Sequence, residues 1–272
     1  MMARRIGLVA WHVFKESVRD RVLYGIGAFA LLLVTGAIAI GQITAGQDVK
    51  IIKDLGLATI EIAGAVMTIF IGVGLVAREI ERKSIFGLLA KPLPRWQFIV
   101  GKYFGLLLTI AVNLWVMALA LLAVLAWMAW SSPESVRLSW SAPAVDPRLL
   151  LVVVMITLEM ALLTAVALFF STFSSSALVS VGLTVGVFVA GLLSQDLRHF
   201  GDMVIAPEFV ISVVSSIGWA LPAFADFDIK GPVVHGLPVA SGFIVHTALY
   251  TVVYAVTLVG ASVYVFSRRE FK

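Results

Sequence analysis

Long apolar runs separated by short polar segments dominate this sequence. A helix needs about 20 apolar residues to cross the hydrocarbon core of a bilayer, because each residue adds about 1.5 Å of rise. Segments of about ten residues with alternating polarity, the mark of a membrane β-barrel, do not occur. The pattern predicts an all-α integral membrane protein, a single domain over residues 1–272, with six transmembrane helices. The six runs, of which the fifth is the shortest, are Val22–Thr44, Leu55–Ala77, Phe98–Trp127, Leu149–Phe170, Ala177–Leu193 and Phe243–Phe266.

Composition excludes several classes of protein and site. The chain is 61% hydrophobic and 13% charged, whereas soluble chains carry about 25% charged residues. Cysteine is absent and the four histidines lack ligand spacing, so we predict neither a disulfide framework nor a metal site. Gly101 and Lys102 lack the upstream glycine and the hydroxyl residue of a phosphate-binding loop. We therefore predict no enzyme site and no cofactor on this chain, and no nucleic-acid partner.

The positions of lysine and arginine predict the orientation. If the N-terminus is cytoplasmic, fourteen of the 20 Lys and Arg residues fall on the cytoplasmic side, as the positive-inside rule requires. Both termini would then be cytoplasmic, and residues 194–241 would form an external segment. Within it, Pro207–Leu221 is apolar but too short to span, which predicts a re-entrant or interfacial helix before the last span.

The first 20 residues predict an amphipathic helix. At about 100° per residue, its charged and polar side chains share one arc of the helix. Such a helix lies in the inner leaflet, as a simple anchor or with a mechanical role. The polar arc holds Arg4, Arg5, His12, Lys15, Glu16 and Arg19. The opposite side holds Ile6, Val9, Ala10, Val13 and Phe14, with Leu8 as the exception.

A charged segment between the second and third runs, residues 78–96, combines a charge cluster with an apolar patch and then two prolines. Proline ends a helix because it lacks the amide donor. A short helix with an apolar patch on the aqueous side suits contact with another protein, and an ordinary charged loop is the equal alternative. The patch comprises Ile85, Phe86, Leu88 and Leu89.

Three polar residues interrupt the apolar runs. Glu159 lies near the middle of the fourth run, where an ionised carboxylate costs at least about 2.5–3.5 kcal/mol. It must face a partner or a water-filled cavity or be protonated, and a structural role and a substrate or proton role remain open. Glu61 lies nearer the outer end of its run, and Asn113 is a candidate for a hydrogen bond between helices.

The charged segment resembles the inner loop of the ABC-2 type permeases. That loop has acidic residues, then Ser or Thr, Leu-Leu, a cation with proline, Arg, and finally Gly-Lys. The matching residues here are Glu79, Glu81, Ser84, Leu88, Leu89, Lys91, Pro92, Arg95, Gly101 and Lys102. The serine-rich end of the fourth run, Phe169–Ser176, and the tail Ser267–Lys272 are also similar to this family. Within it, the chain looks most like the permeases of multi-copper enzyme and nitrous-oxide-reductase maturation systems.

The resemblance implies a function and its partners. The chain would be the permease subunit of an ATP-driven exporter in the bacterial inner membrane. It would pair with a second permease, identical or related, and sit on two separate ATPase subunits that bind ATP and Mg. An extracytoplasmic partner would be compatible with this arrangement. The resemblance makes the segment around Ile85–Leu89 the coupling helix, which docks into an ATPase.

A second interpretation treats the chain as a self-contained secondary transporter that uses Glu159. Such carriers usually show internal repeats and broken helices at mid-membrane depth. Neither feature is visible in the sequence, so the permease remains the preferred interpretation.

Overall fold

The computed structural model describes residues 2–18, 27, 35–36, 48–81, 94–140, 142–174 and 176–268. In these ranges the chain forms helices joined by turns and contains no strand. The α-helices are α1 Met2–Val18, α2 Asp48–Glu81, α3 Arg95–Ser131, α4 Glu134–Ser139, α5 Arg148–Phe173, α6 Ala177–Leu192, α7 Ser194–Arg198, α8 Phe200–Met203, α9 Glu208–Ala220, α10 Lys230–Val234 and α11 Ser241–Arg268. A 3₁₀ helix covers Phe224–Phe227. The predicted all-α class is confirmed.

Helix α5 forms the centre of the bundle. Its sequence is apolar on every side, as expected of a helix that is surrounded by others. It packs against α2, α3, α6 and α11. A methyl group placed on Gly64 would lie 3.3 Å from Met160 Cγ, and one on Gly72 would lie 3.2 Å from Ala167 Cβ. Because residue numbers rise together along this contact, α2 and α5 run parallel.

Among the described residues, four helices are long and apolar enough to span a membrane: α2, α3, α5 and α11. The number rises to five if the bent pair Glu208–Ala220 and Phe224–Val234 forms one broken span. The four long helices contain the second, third, fourth and sixth predicted runs. The fifth run corresponds to α6, which is apolar but has only 16 residues. The first run, Val22–Thr44, lies outside the described residues except for Gly27, Thr35 and Gly36, so the number six stays a prediction.

The two ends of the bundle have different neighbours. At one end, here called the loop end, α2 stops, α3 starts and α11 stops, and α1 packs beside the start of α3. At the other, the cap end, the segment of residues 193–240 connects α6 to α11. The described N-terminal and C-terminal helices thus meet the bundle at the same end, and the cytoplasmic location of the two termini stays a prediction.

Part of the 193–240 segment packs into the core of the bundle. The predicted helix at Pro207–Leu221 is present as α9, and a bend of 47° separates it from Phe224–Val234. Phe224, Phe227 and Val233 are fully buried in the main core with side chains of α2 and α5. These three buried residues therefore close the bundle at the cap end, whereas α9 leaves apolar side chains such as Phe209 and Ile217 exposed.

Candidate functional site

Three of the predicted coupling residues belong to helices that the structure describes at the loop end. Glu79 and Glu81 belong to the last turn of α2, and Arg95 is the first residue of α3. The remaining predicted residues lie outside the described residues: Ser84, Ile85, Phe86, Leu88, Leu89 and Lys91. Their role stays a prediction.

The start of α3 is joined to the end of α11. Arg95 Nη1 donates a hydrogen bond to Ser267 O at 2.9 Å. One turn along α3, the Phe98 and Phe266 rings stack with centroids 6.0 Å apart. Lys102 is buried, and its ammonium lies 4.8 Å from the centroid of the Phe98 ring. The two segments that resemble family motifs, the inner loop and the C-terminal tail, are thus neighbours in space.

Helix α1 holds the other side of the start of α3. A methyl group on Gly101 would lie 2.7 Å from Val9 Cβ, and one on Gly105 would lie 2.6 Å from Ala10 O and 2.7 Å from Val13 Cβ. Only glycine allows such an approach, as in helix pairs with two small residues four positions apart. This signal was visible in the sequence as Gly101-x-x-x-Gly105, but sequence reasoning did not use it.

The predicted amphipathic character of α1 is consistent with its contacts. Val13 is buried in a cluster with Met67, Ile71 and Leu106 of the neighbouring helices. The predicted polar side chains that can be described are exposed: Arg5, His12, Lys15 and Glu16. Leu8 is exposed as well. The apolar side of α1 therefore packs on protein, and its predicted place in the inner leaflet stays a prediction.

Glu159 is enclosed by the chain's own helices. Its side chain is only 2% exposed, and its Oε1 accepts no hydrogen bond from any described residue. Burying an acceptor without a partner costs about 1–3 kcal/mol, and an ionised carboxylate costs more. The helices of this one chain thus shield Glu159 from lipid, and the carboxyl does not lie on a surface left for a second permease.

Glu61 forms an ion pair that sequence reasoning missed. Its Oε2 contacts Lys230 Nζ, and the same ammonium lies 3.6 Å from Asp228 Oδ2. Lys230 belongs to α10, so this pair ties the 193–240 segment to α2. No sequence signal links residues so distant in the chain, since the pairing depends on how this segment folds over the bundle.

Glu61 and Glu159 lie at similar depth in the bundle. The contacts of Gly64 with Met160 and Gly72 with Ala167 set the register of α2 and α5, which places Glu61 level with Thr157. Two residues of helical rise separate that level from Glu159, about 3 Å. The Glu159 carboxyl therefore lies near the depth of the ion pair between Glu61 and Lys230.

Asn113 bonds within its own helix. Its Nδ2 donates to Thr109 O at 2.8 Å, and no bond to another described helix of this chain is present. Lys53, a second residue that sequence reasoning passed over, is buried and donates to Pro143 O at 2.6 Å. Lys53 fixes the turn before α5 to the start of α2.

The family of the chain follows from a comparison with protein families. The model described as ABC-2 family transporter protein matches residues 8–271, almost the whole chain. The chain belongs to the ABC-2 transporter family. It is a multi-pass membrane protein and a permease subunit of an ABC transporter, whose family implies partnership with ABC ATPase subunits. A search of curated proteins returned no match. The resemblance inferred from the inner loop and the tail is thus confirmed at family level, and the copper-maturation branch stays a prediction.

Proposed function

We propose that this permease is an exporter subunit driven by two separate ATPase subunits that dock at the loop end. ATP and Mg would be bound by those subunits, and the permease would pair with a second copy or a related permease. The loop end would face the cytoplasm of a bacterial cell, and the 193–240 segment would face outward, where it could meet an extracytoplasmic partner. The positive-inside pattern supports this orientation.

The observation that carries the proposal is the convergence of three helices beside the inner-loop motif. The start of α3 is bonded to α11 through Arg95 and packed on α1 through Gly101 and Gly105. A push on the segment between α2 and α3 would therefore reach two further helices directly. Such an element transmits force because packed helices move as rigid bodies.

The test is a charge placed in the predicted docking patch. Leu88→Asp should lower the affinity for the ATPase subunit by more than tenfold. Burial of the leucine side chain contributes about 1.5–3 kcal/mol to binding, and burial of a carboxylate in its place is unfavourable. Co-purification of the ATPase subunit and the ATP hydrolysis of the assembly measure this. Leu138→Asp is the matched control, since Leu138 is an exposed leucine of α4 at the cap end. Retained ATPase and unchanged hydrolysis in the Leu88 variant would refute the docking proposal.

A second candidate function, transport that uses Glu159 without ATPase subunits, rests on the buried carboxyl of that residue. The two functions can be separated by comparing proteoliposomes that hold the permease alone with proteoliposomes that also hold the ATPase subunits and ATP. Substrate or proton flux without ATPase subunits supports the carrier, whereas flux that requires both ATPase and ATP supports the exporter.

A further inference from the structure

A cavity of about 240 Å³ lies where the start of α11 meets the 193–240 segment. Four aromatic or imidazole rings and two opposite charges converge on it, so we call it the aromatic pocket. Its volume falls below the range of pockets for drug-sized ligands, about 300–1,000 Å³. It therefore suits a small polar group rather than a large molecule. The side chains that define it are Arg198, Trp219, Asp226, His246, Tyr250 and Tyr254.

One side of the pocket offers hydrogen-bond donors. Arg198 is held in place because its Nε donates to Gly218 O at 3.0 Å and its guanidinium lies 4.7 Å from the centroid of the Trp219 ring. Its two terminal amino groups donate to no other described residue. Tyr250 Oη accepts the Ala223 N–H at 3.1 Å, so its own proton is left for another acceptor. A fixed guanidinium with free amino groups matches the geometry of a phosphate.

The other side of the pocket offers an acceptor. Asp226 Oδ1 accepts a hydrogen bond from Gln195 Nε2, which orients the carboxylate and leaves Oδ2 for a further donor. Arg198 and Asp226, both described, form no ion pair with each other. A carboxylate beside the Tyr250 and Tyr254 rings, which lie 5.5 Å apart, favours an ammonium group, because aromatic faces attract cations. The pocket thus presents separate sites for an anion and a cation.

The surroundings of the pocket are apolar. Leu249 and Val253 of α11 are 62% and 59% exposed, and Trp219 is 71% exposed. In a membrane-spanning helix such side chains contact acyl chains, and Trp and Tyr favour the interface between lipid and water. A ligand here would place its charged group in the pocket and its apolar part against the bundle.

We propose that the aromatic pocket binds the headgroup of a zwitterionic phospholipid, in which a phosphodiester is joined to a primary ammonium. Arg198 and Tyr250 bind the phosphate, and Asp226 accepts a hydrogen bond from the ammonium. A lipid seated there links the 193–240 segment to the last span. This site is independent of ATPase docking, since it lies at the opposite end of the bundle from the inner loop.

The experiment compares lipids on the purified, delipidated, full-length protein. Dioleoyl phosphatidylethanolamine, phosphatidylglycerol and phosphatidylcholine are titrated in turn, with native mass spectrometry and the melting temperature as readouts. Phosphatidylethanolamine should bind about tenfold more tightly than either other lipid, the effect of one charge-assisted hydrogen bond. Phosphatidylglycerol lacks the ammonium. The quaternary ammonium of phosphatidylcholine keeps the contact with the tyrosine rings but cannot donate a hydrogen bond to Asp226. Equal binding of all three would overturn the proposal.

Two variants test whether Asp226 binds the lipid ammonium and Arg198 binds the lipid phosphate. Asp226→Asn should reduce binding of phosphatidylethanolamine to the level of phosphatidylglycerol, whereas Arg198→Gln should weaken both lipids. Asp202→Asn and Arg137→Gln, at exposed positions away from the pocket, should change neither. A preference that survives Asp226→Asn would overturn the assignment. If Arg198→Gln does not fold, the lipid comparison on the unchanged protein still decides.

Soluble glycerophosphoethanolamine distinguishes the two sources of this chemistry. It carries the same phosphodiester and ammonium without acyl chains. We expect at least a tenfold weaker effect, because the apolar contacts outside the pocket are lost. An effect equal to that of the lipid at the same concentration would overturn the lipid assignment in favour of a soluble ligand.

Discussion

The close contact between α1 and α3 predicts that a single added methyl group will destabilise the protein. Alanine at Gly105 would place its Cβ 2.6 Å from Ala10 O and 2.7 Å from Val13 Cβ, whereas ordinary contacts begin at 3.4 Å. Helix α1 would have to retreat by about 1 Å, and overpacking of this kind costs about 1–3 kcal/mol. The matched control is Gly182→Ala in α6, whose new Cβ would meet nothing within 4 Å. There alanine should stabilise the helix by about 1 kcal/mol.

The two glycine variants should therefore shift the melting temperature in opposite directions. With about 2–4 °C per kcal/mol for a chain of this size, Gly105→Ala should lower it by several degrees, and Gly182→Ala should raise it slightly. The same purified samples, assembled with their ATPase subunits, should lose stimulated ATP hydrolysis only for Gly105→Ala, because the start of α3 loses its support. Equal shifts for both variants would show that α1 does not pack on Gly105.

Three further predictions concern the cap end and the topology. Glu159→Leu should raise the melting temperature, because it removes an unpaired buried acceptor that destabilises the fold by about 1–3 kcal/mol. Glu159→Gln should change the melting temperature little. A lower melting temperature for the leucine variant would mean that the carboxyl has a partner. Lys230→Met should destabilise the fold, because Glu61 loses its ion pair. The double variant Glu61→Lys with Lys230→Glu should regain part of the lost stability in a double-mutant cycle. No regain in stability would argue against the ion pair. A cysteine at Asp226 should react with a membrane-impermeant thiol reagent in intact cells and one at Ser84 should not, and the reverse result would invert the topology.

The apolar pattern was sufficient to predict the helical class and the position of the long helices. Run length alone decides whether a helix can cross a bilayer, and the runs Leu149–Phe170 and Phe243–Phe266 lie inside α5 and α11 with only a few residues added at each end. The short apolar run Pro207–Leu221 likewise predicted a helix, which is present as α9. The resemblance to the family also came from the sequence, through the inner-loop motif, the serine-rich segment and the tail, and the match over residues 8–271 confirmed it.

Partners across the fold were decided by tertiary structure. Glu61 and Lys230 are far apart in sequence, and they meet only because the 193–240 segment folds back over α2 and α5. The sequence alone showed that burial of an ionised Glu159 would be unfavourable. The tertiary structure shows that Glu159 is buried within one chain, and the register of α2 against α5 places it near the depth of that ion pair. Arg95 and Ser267 lie in separate sequence motifs, and the packing of α3 against α11 places them within hydrogen-bond distance. Local composition fixes which segments enter the membrane, while the packing of one helix on another fixes which polar groups meet there.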